Sequence, residues 1–326
     1  MAQRMAKRDR GPSRNDRPTR PGVLVIGRGC RDHIAVVDQY PVENTKAAMR
    51  IHLMEGGGQG ATAACCICRL GGAVRLVGYL GDDPAGEFCR KRLAAFGVDL
   101  SALRTVSGGR TPESYIVVTR PSGRRTIFYQ PNTLPRLTPA DLPPDLFQSA
   151  GVVLLDPETT YLAAHLPPRG PGAPTIVYDA ERWREGLDDM MARADYFIPS
   201  SELFADPHFD LAGLPFAAQF DRLADQISGA LIVTRGHRGA YFRRDGHLCR
   251  VPAPHIEVRD SIGAGDNFHA AFALGLLHGD DLARIVKFAV AVASLSCRAY
   301  GGRAGLPDRK EALELAATLP LEAVVA

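Results

Sequence analysis

Asp260-Ser261-Ile262-Gly263-Ala264-Gly265-Asp266-Asn267-Phe268 is the stretch from which the rest of this 326-residue chain can be read. Upstream, Pro254 to Arg259 reads as extended and β-branched. Downstream, Phe268 to Leu277 carries Ala and Leu at helical spacing and stops at His278-Gly279. The glycines therefore fall at the turn into a helix, where the first N–H groups lack intrahelical partners and the helix dipole favours negative charge. Gly263 and Gly265 let the backbone approach a ligand where a Cβ would intrude. Asp266 stands in the first turn. A carboxylate is a poor permanent neighbour for a bound anion. It is a good one if the anion develops during phosphoryl transfer and Asp266 takes the proton of the attacking hydroxyl. An Asp in a first turn is ordinarily a cap, but the complete D-S-x-G-A-G-D-x-F string points to chemistry at Gly263, Ala264, Gly265 and Asp266.

A second glycine cluster, Gly56-Gly57-Gly58-Gln59-Gly60-Ala61-Thr62, runs into a helix from Ala63 to Leu70 that stops at Gly71-Gly72. With both motifs in this order and spacing, the chain resembles the ribokinase-like (PfkB) sugar kinases from about Val23 to Pro307. The resemblance implies an α/β fold: a three-layer sandwich with a central, mostly parallel sheet and a small β lid. It implies ATP-dependent, magnesium-requiring phosphorylation of a hydroxyl on a small carbohydrate. It also implies a monovalent-cation site, for potassium, at Asp260 and the backbone of Ile262. The flanks, above all Gly301-Gly302-Arg303-Ala304-Gly305, look like the sulfosugar kinase branch as well.

Composition sets outer bounds. With 45% hydrophobic residues, 326 residues bury a substantial core as one large domain with at most a small appendage. No apolar run approaches the roughly 18 residues of a membrane span. Residues 1–22 hold seven Lys or Arg, two Asp and three Pro without hydrophobic periodicity, the composition of a solvated, disordered tail. Subtracting that tail's +5 from the total of +3 leaves −2 for residues 23–326, so net charge points to no nucleic-acid partner. The seven cysteines (Cys30, Cys65, Cys66, Cys68, Cys89, Cys249 and Cys297) follow no apolar leader and read as reduced thiols of a cytoplasmic protein. Cys65-x-x-Cys68 lies among alanines in a helix with no second pair, so it reads as core rather than zinc.

Apolar runs at Val23 to Ile26, Val74 to Tyr79, Gly151 to Leu155, Thr175 to Tyr178, Tyr196 to Ile198 and Ala230 to Thr234 read as buried strands. Helix-length amphipathic segments separate several of them: Gly86 to Phe96, Glu185 to Arg193 and Phe216 to Ser228. That alternation predicts a parallel sheet covered on both faces. Residues of about 32–54 and 113–130 alternate apolar and polar, and read as the lid strands, which the resemblance implies are often shared in a homodimer. No Walker A lysine follows a glycine cluster. Gly27-x-Gly29 leads into strand rather than helix, which argues against a dinucleotide fold.

By the resemblance, Asp32 holds sugar hydroxyls, as an acceptor-only carboxylate suits a polyol. Gly57, Gly58 and Thr62 belong to the acceptor loop, with the glycines letting backbone approach a flat sugar. Thr62 replaces the usual Asn, Gln59 a frequent Lys, and Cys30 an Asn before Asp32. Glu158, ending the strand Leu154-Leu155, matches a sugar-binding glutamate, and its charge would repel a sulfonate. Lys46, Arg124 and Arg125 could supply compensating charge from the lid. On the nucleotide side, Thr234, Gly236 and Gly239 match a strand-turn that touches ATP. Ser201 and Glu202 stand where an N-x-x-E motif is expected, with Phe204 in place of its glutamate. The alternatives are a nucleoside kinase using Tyr40, Tyr115, Phe128 and Tyr129 around a base, a sulfosugar kinase, and a non-catalytic sugar or nucleotide sensor.

Overall fold

The computed structural model describes residues 22–120 and 122–324, so the basic segment read as a tail lies outside the described residues except at its last position. The described part begins with β1 (Gly22–Ile26), and an antiparallel pair, β2 (Cys30–Val37) and β3 (Ile51–Gly57), follows. Next come α1 (Gln59–Arg69), β4 (Val74–Gly81), α2 (Pro84–Phe96) and β5 (Leu103–Val106), and then a hairpin of β6 (Glu113–Thr119) and β7 (Arg124–Tyr129). The middle of the chain alternates: α3 (Pro144–Gln148), β8 (Ala150–Leu155), β9 (Thr175–Ala180), α4 (Leu187–Arg193), β10 (Tyr196–Pro199), α5 (Phe216–Ala224) and β11 (Ala230–Thr234). A hairpin of β12 (Ala240–Arg244) and β13 (His247–Val251) leads to α6 (Ala264–Leu277), α7 (Leu282–Ser296), α8 (Arg309–Thr318) and the short β14 (Glu322–Ala323).

Among the described residues ten strands form the large sheet in the order β14-β13-β12-β11-β10-β9-β8-β1-β4-β5, parallel from β5 through β11 and antiparallel beyond. Its central strands are continuous apolar runs because both faces are covered. Period-two alternation splits each strand between two cores. Val23 and Val25 pack with α1, α6 and α7, while Leu24 and Ile26 pack with α3, α4 and α5. Caps fix where the helices start and stop: at α2, Asp83 accepts from Gly86 N at 2.9 Å and Gly97, at φ 86°, ends the helix.

The small sheet has the order β3-β2-β6-β7. Its register places Asp32, Glu55, Ser114 and Tyr129 in one row and His33, Met54, Tyr115 and Phe128 in the next. Adjacent rows face opposite ways. Ile34, Val36, Ile116 and Val118, on the Asp32 face, pack with Ile262 of the turn before α6. One face of this sheet therefore rests on the decisive turn. Residues 38–50, expected as strand, lie outside the ladders. Pro254 to Arg259 also joins no strand; Pro252 and Pro254 have no N–H to give a ladder, and the strand is the preceding His247–Val251.

Candidate active site

The C-terminal ends of β1, β8, β9, β10 and β11, the start of α6 and the inner face of the small sheet surround one cleft of about 1720 Å³. That volume exceeds the few hundred to 1,000 Å³ typical of a single small-molecule pocket. Gly263, at φ 70°, caps α6, and a Cβ there would fall 2.9 Å from Gly302 Cα. A Cβ at Gly265 would meet no protein atom within 4 Å, so nothing inside the protein demands glycine there. The N–H groups of Gly263 and Gly265 take no hydrogen-bond partner among the described residues, while Ala264 N–H turns back to Ser261 O at 3.4 Å.

Asp266 lies one residue further into the helix and lines the cleft. Burial raises its pKa to about 7, and Asp179 adds to the effect, while His269 and Arg125 oppose it. Asp179, the penultimate residue of β9, is itself held well above the carboxylate range by burial, then by Asp156 and Glu181. His269, one turn after Asp266, is buried, with Nδ1 2.7 Å from Gly265 O and Nε2 3.0 Å from Ile198 O and 3.4 Å from Asp179 Oδ1. Burial lowers its pKa, and a neutral ring has one N–H to share between those carbonyls. His269 thus ties the α6 turn to β10.

At the other end of the cleft, Asp32 is 6% exposed and accepts from Cys30 Sγ at 3.1 Å. Burial raises its pKa, against the Cys30 bond and the Arg303 charge. Glu158 lines the cleft between Arg184 Nη2 at 2.9 Å and Arg28 Nη1 at 3.6 Å. Its charge is therefore balanced, which the sequence did not disclose. The neighbouring Asp156 lies beneath: Oδ2 accepts from Arg28 N at 2.7 Å, Oδ1 from Glu158 N at 3.1 Å, and burial pushes its pKa to about 6.

The glycine loop departs from the expectation of backbone laid against a sugar. Gly57 is bare because the Asp32 carboxylate occupies the place of its Cβ. Gly58 has φ 87°, with its Cβ site 2.6 Å from Arg28 O, and that of Gly60 lies 2.8 Å from Gly27 Cα. These glycines mainly let α1 start against β1, although Gly58 also lines the cleft. Thr62 is 2% exposed and lies off the cleft; its Oγ1 is 3.4 Å from Arg303 Nε, whose Nη2 donates to Gly57 O at 2.9 Å. Arg303 of the Gly-Gly-Arg-Ala-Gly string is thus a buried strap across the loop. Lys46 is exposed and is not among the cleft-lining residues.

On the remaining side, Glu202, Thr234, Gly236 and Gly239 line the cleft, while Ser201 does not. Ser200 lines it instead and caps the short 3-10 turn Ser201–Ala205 by accepting from Glu202 N at 3.3 Å. Phe204 is buried, 5.7 Å from the Phe216 ring, so no second carboxylate stands there. Gly236 (φ 51°) and Gly239 (φ 85°) shape the loop into β12. Asp260 is 1% exposed, with Oδ1 accepting from Ile262 N at 2.9 Å and Oδ2 from Gly301 N at 2.8 Å.

Residues 20–309 match the family described as pfkB family carbohydrate kinase. The chain belongs to that family. It is a phosphotransferase that phosphorylates a hydroxyl group at the expense of ATP. The kinase is 28% identical over 308 residues to the ribokinase of Bacillus subtilis (strain 168), covering 90% of this chain and 98% of that one. It is 31% identical over 280 residues to a fructokinase of Klebsiella pneumoniae, with 78% and 90% covered. A crystal structure of a putative ribokinase from Agrobacterium tumefaciens superposes with a TM-score of 0.78 at 26% identity, covering 90% and 97%. Four further cleft residues of the kinase, Asp179, His269, Arg28 and Arg184, lie outside the site residues read from the sequence. Asp179 alone carried a local signal, a charged residue closing the apolar run Thr175 to Tyr178.

Proposed function

We propose that this kinase phosphorylates a neutral, hydroxyl-rich sugar with Asp266 as general base. The observation that carries the reading is Asp266 in the first turn of α6, held near neutrality beside the uncapped N–H groups of Gly263 and Gly265. In the transfer step Asp266 takes the acceptor hydroxyl proton, and those amides stabilise charge on the moving phosphoryl group. Asp32, the Gly58 edge and Glu158 hold the acceptor. At the acceptor end Arg28 and Arg184 pair with Glu158 and Arg182 pairs with Glu181, so the cations at these strand ends are committed to carboxylates rather than to a sulfonate, and hydroxyls find both donors and acceptors there. ATP lies along Thr234, Gly236 and Gly239.

Magnesium fits this site through the Glu202 carboxylate, which is exposed on the cleft, since Mg²⁺ typically needs one or two protein carboxylates besides phosphates and water. When bound with ATP it supplies neutralisation of the phosphate charge. Potassium fits at Asp260: the carboxylate is buried, receives only backbone N–H groups, and forms no salt bridge among the described residues, so it can face a cation with the Ile262 carbonyl. Outside the cleft, Met54, Tyr115 and Phe128 form an exposed row on the outer face of the small sheet, which suits a second copy of the chain.

ATP turnover over a panel of neutral sugars, sulfosugars, sugar phosphates and nucleosides tests the substrate. A neutral sugar is expected to give the highest kcat/KM. A sulfonated or phosphorylated acceptor that wins would overturn the pairing argument, and a nucleoside that wins would reassign the acceptor end to a base.

A further inference from the structure

Arg125 stands in the cleft without a part in the mechanism above. It projects from β7, a strand exposed along its whole length. Register pairs Arg125 with Val118, which is buried under the small sheet, so Arg125 shares the inner face with Ile127 and Tyr129; Arg124 alternates to the other face, although it too lines the cleft. Arg125 Nη1 donates to Ser261 Oγ at 2.7 Å, two residues before Gly263 and 136 residues along the chain from its own strand. Among the described residues it forms no salt bridge, whereas Arg28, Arg182 and Arg184 are each held by Glu158 or Glu181. A guanidinium carries five N–H donors, and Ser261 occupies one of them.

The place it reaches is acidic. Asp266 stands in the α6 turn with Asp179 close enough to raise its pKa, Glu202 lines the same cleft, and a phosphoryl group brings its own negative charge to that turn. Helix-terminal amides supply only about half an elementary charge. We propose that Arg125 is a catalytic residue delivered by the small sheet, whose guanidinium contacts the phosphoryl group between ATP and acceptor. As the P–O bond to ADP breaks and the bond to the acceptor oxygen forms, Asp266 receives the hydroxyl proton and Arg125 keeps its own. Asp32 sits on the same face of the same sheet, so the element that closes over the acceptor also brings the cation, and transfer to water is disfavoured until both are in place.

This inference rests on the kinase reading, and two measurements keep their fates apart. Wild-type turnover across the acceptor panel tests the kinase reading alone. Affinity for Mg·ADP–aluminium fluoride, a mimic of the planar phosphoryl group, against that for Mg·ADP tests Arg125 without an acceptor. Arg125→Gln is expected to bind Mg·ADP as wild type does but to lose about 10²-fold in affinity for the fluoride complex. Its kcat should fall by about 10²- to 10³-fold with an unchanged KM for ATP, the usual cost of removing one donor aimed at developing charge. Arg125→Lys, which retains the charge, should recover part of both losses. Equal binding of the fluoride complex by wild type and Arg125→Gln overturns the inference. So does a loss confined to the acceptor KM, which would make Arg125 a clamp on the small sheet.

Discussion

Asp266 is a carboxylate whose surroundings oppose its charge. Burial, then Asp179 from β9, raise its pKa, with Asp156 at the end of β8 adding and His269 of α6 and Arg125 of β7 opposing. With the value raised to about 7, the proton-accepting form is lost as pH falls through neutrality, so kcat/KM of the wild type should decline on the acid side with a slope of one proton. Asp266→Asn should cut turnover by roughly 10²- to 10⁴-fold. Linkage gives a second, independent sign. Because the folded pKa lies above the unfolded value of about 3.9, the stability this group contributes is complete below that value and lost as pH rises through the folded pKa. The Asn variant should therefore melt above wild type at pH 8, with the gap closing toward pH 4. Full turnover by that variant would remove Asp266 from the chemistry, and a pH-independent gap in melting temperature would refute the raised pKa.

Two elements with similar glycine-rich starts, α1 and α6, place different demands on the backbone. At α1, Gly58 holds φ 87° with the Arg28 carbonyl 2.6 Å from its Cβ site, so Gly58→Ala should cost on the order of 1 kcal/mol of stability or more. At α6, Gly265 has no positive φ and open space around its Cβ position, so Gly265→Ala should leave the melting temperature level or raise it while lowering kcat. Equal turnover by wild type and Gly265→Ala would mean that the open space does not receive the phosphoryl group. Both motifs were legible in the sequence, as were the apolar strands from Val23 to Thr234, because local periodicity encodes them. The reason for each glycine was not legible. Gly57 makes room for Asp32, and Thr62 serves Arg303, through approaches whose partners lie far away in sequence. Arg28 N reaches Asp156 across 128 residues, and Arg303 reaches Gly57 across 246. Spacing along the chain has no signature for such pairs, which is why Glu158 read as a bare charge and Arg125 as one of three lid cations, with Lys46 and Arg124, that could compensate it.

For the whole molecule, the small sheet sets both how the site closes and what the outside offers. Its inner face packs Ile34, Val36, Ile116 and Val118 on Ile262. The same alternation forces the next row outward, leaving Met54 at 49%, Tyr115 at 50% and Phe128 at 53% exposure, with His33 stacked on Tyr115 at 4.7 Å. A contiguous row of large apolar side chains beside a fully exposed edge strand, β7, is costly to leave in water and ready to pair. A second copy related by a two-fold axis would cover it with an identical row, since a symmetric interface presents the same patch from both sides. The kinase is therefore expected to sediment as a dimer at micromolar concentration. Phe128→Glu, which places a charge in the middle of that row and touches nothing in the cleft, should give monomers with the melting transition retained. If the pairing also steadies the small sheet, those monomers should show a raised acceptor KM, because Asp32 belongs to that sheet and the nucleotide loop does not. A wild-type protein that stays monomeric at tens of micromolar would assign the row to some other partner and uncouple it from the site.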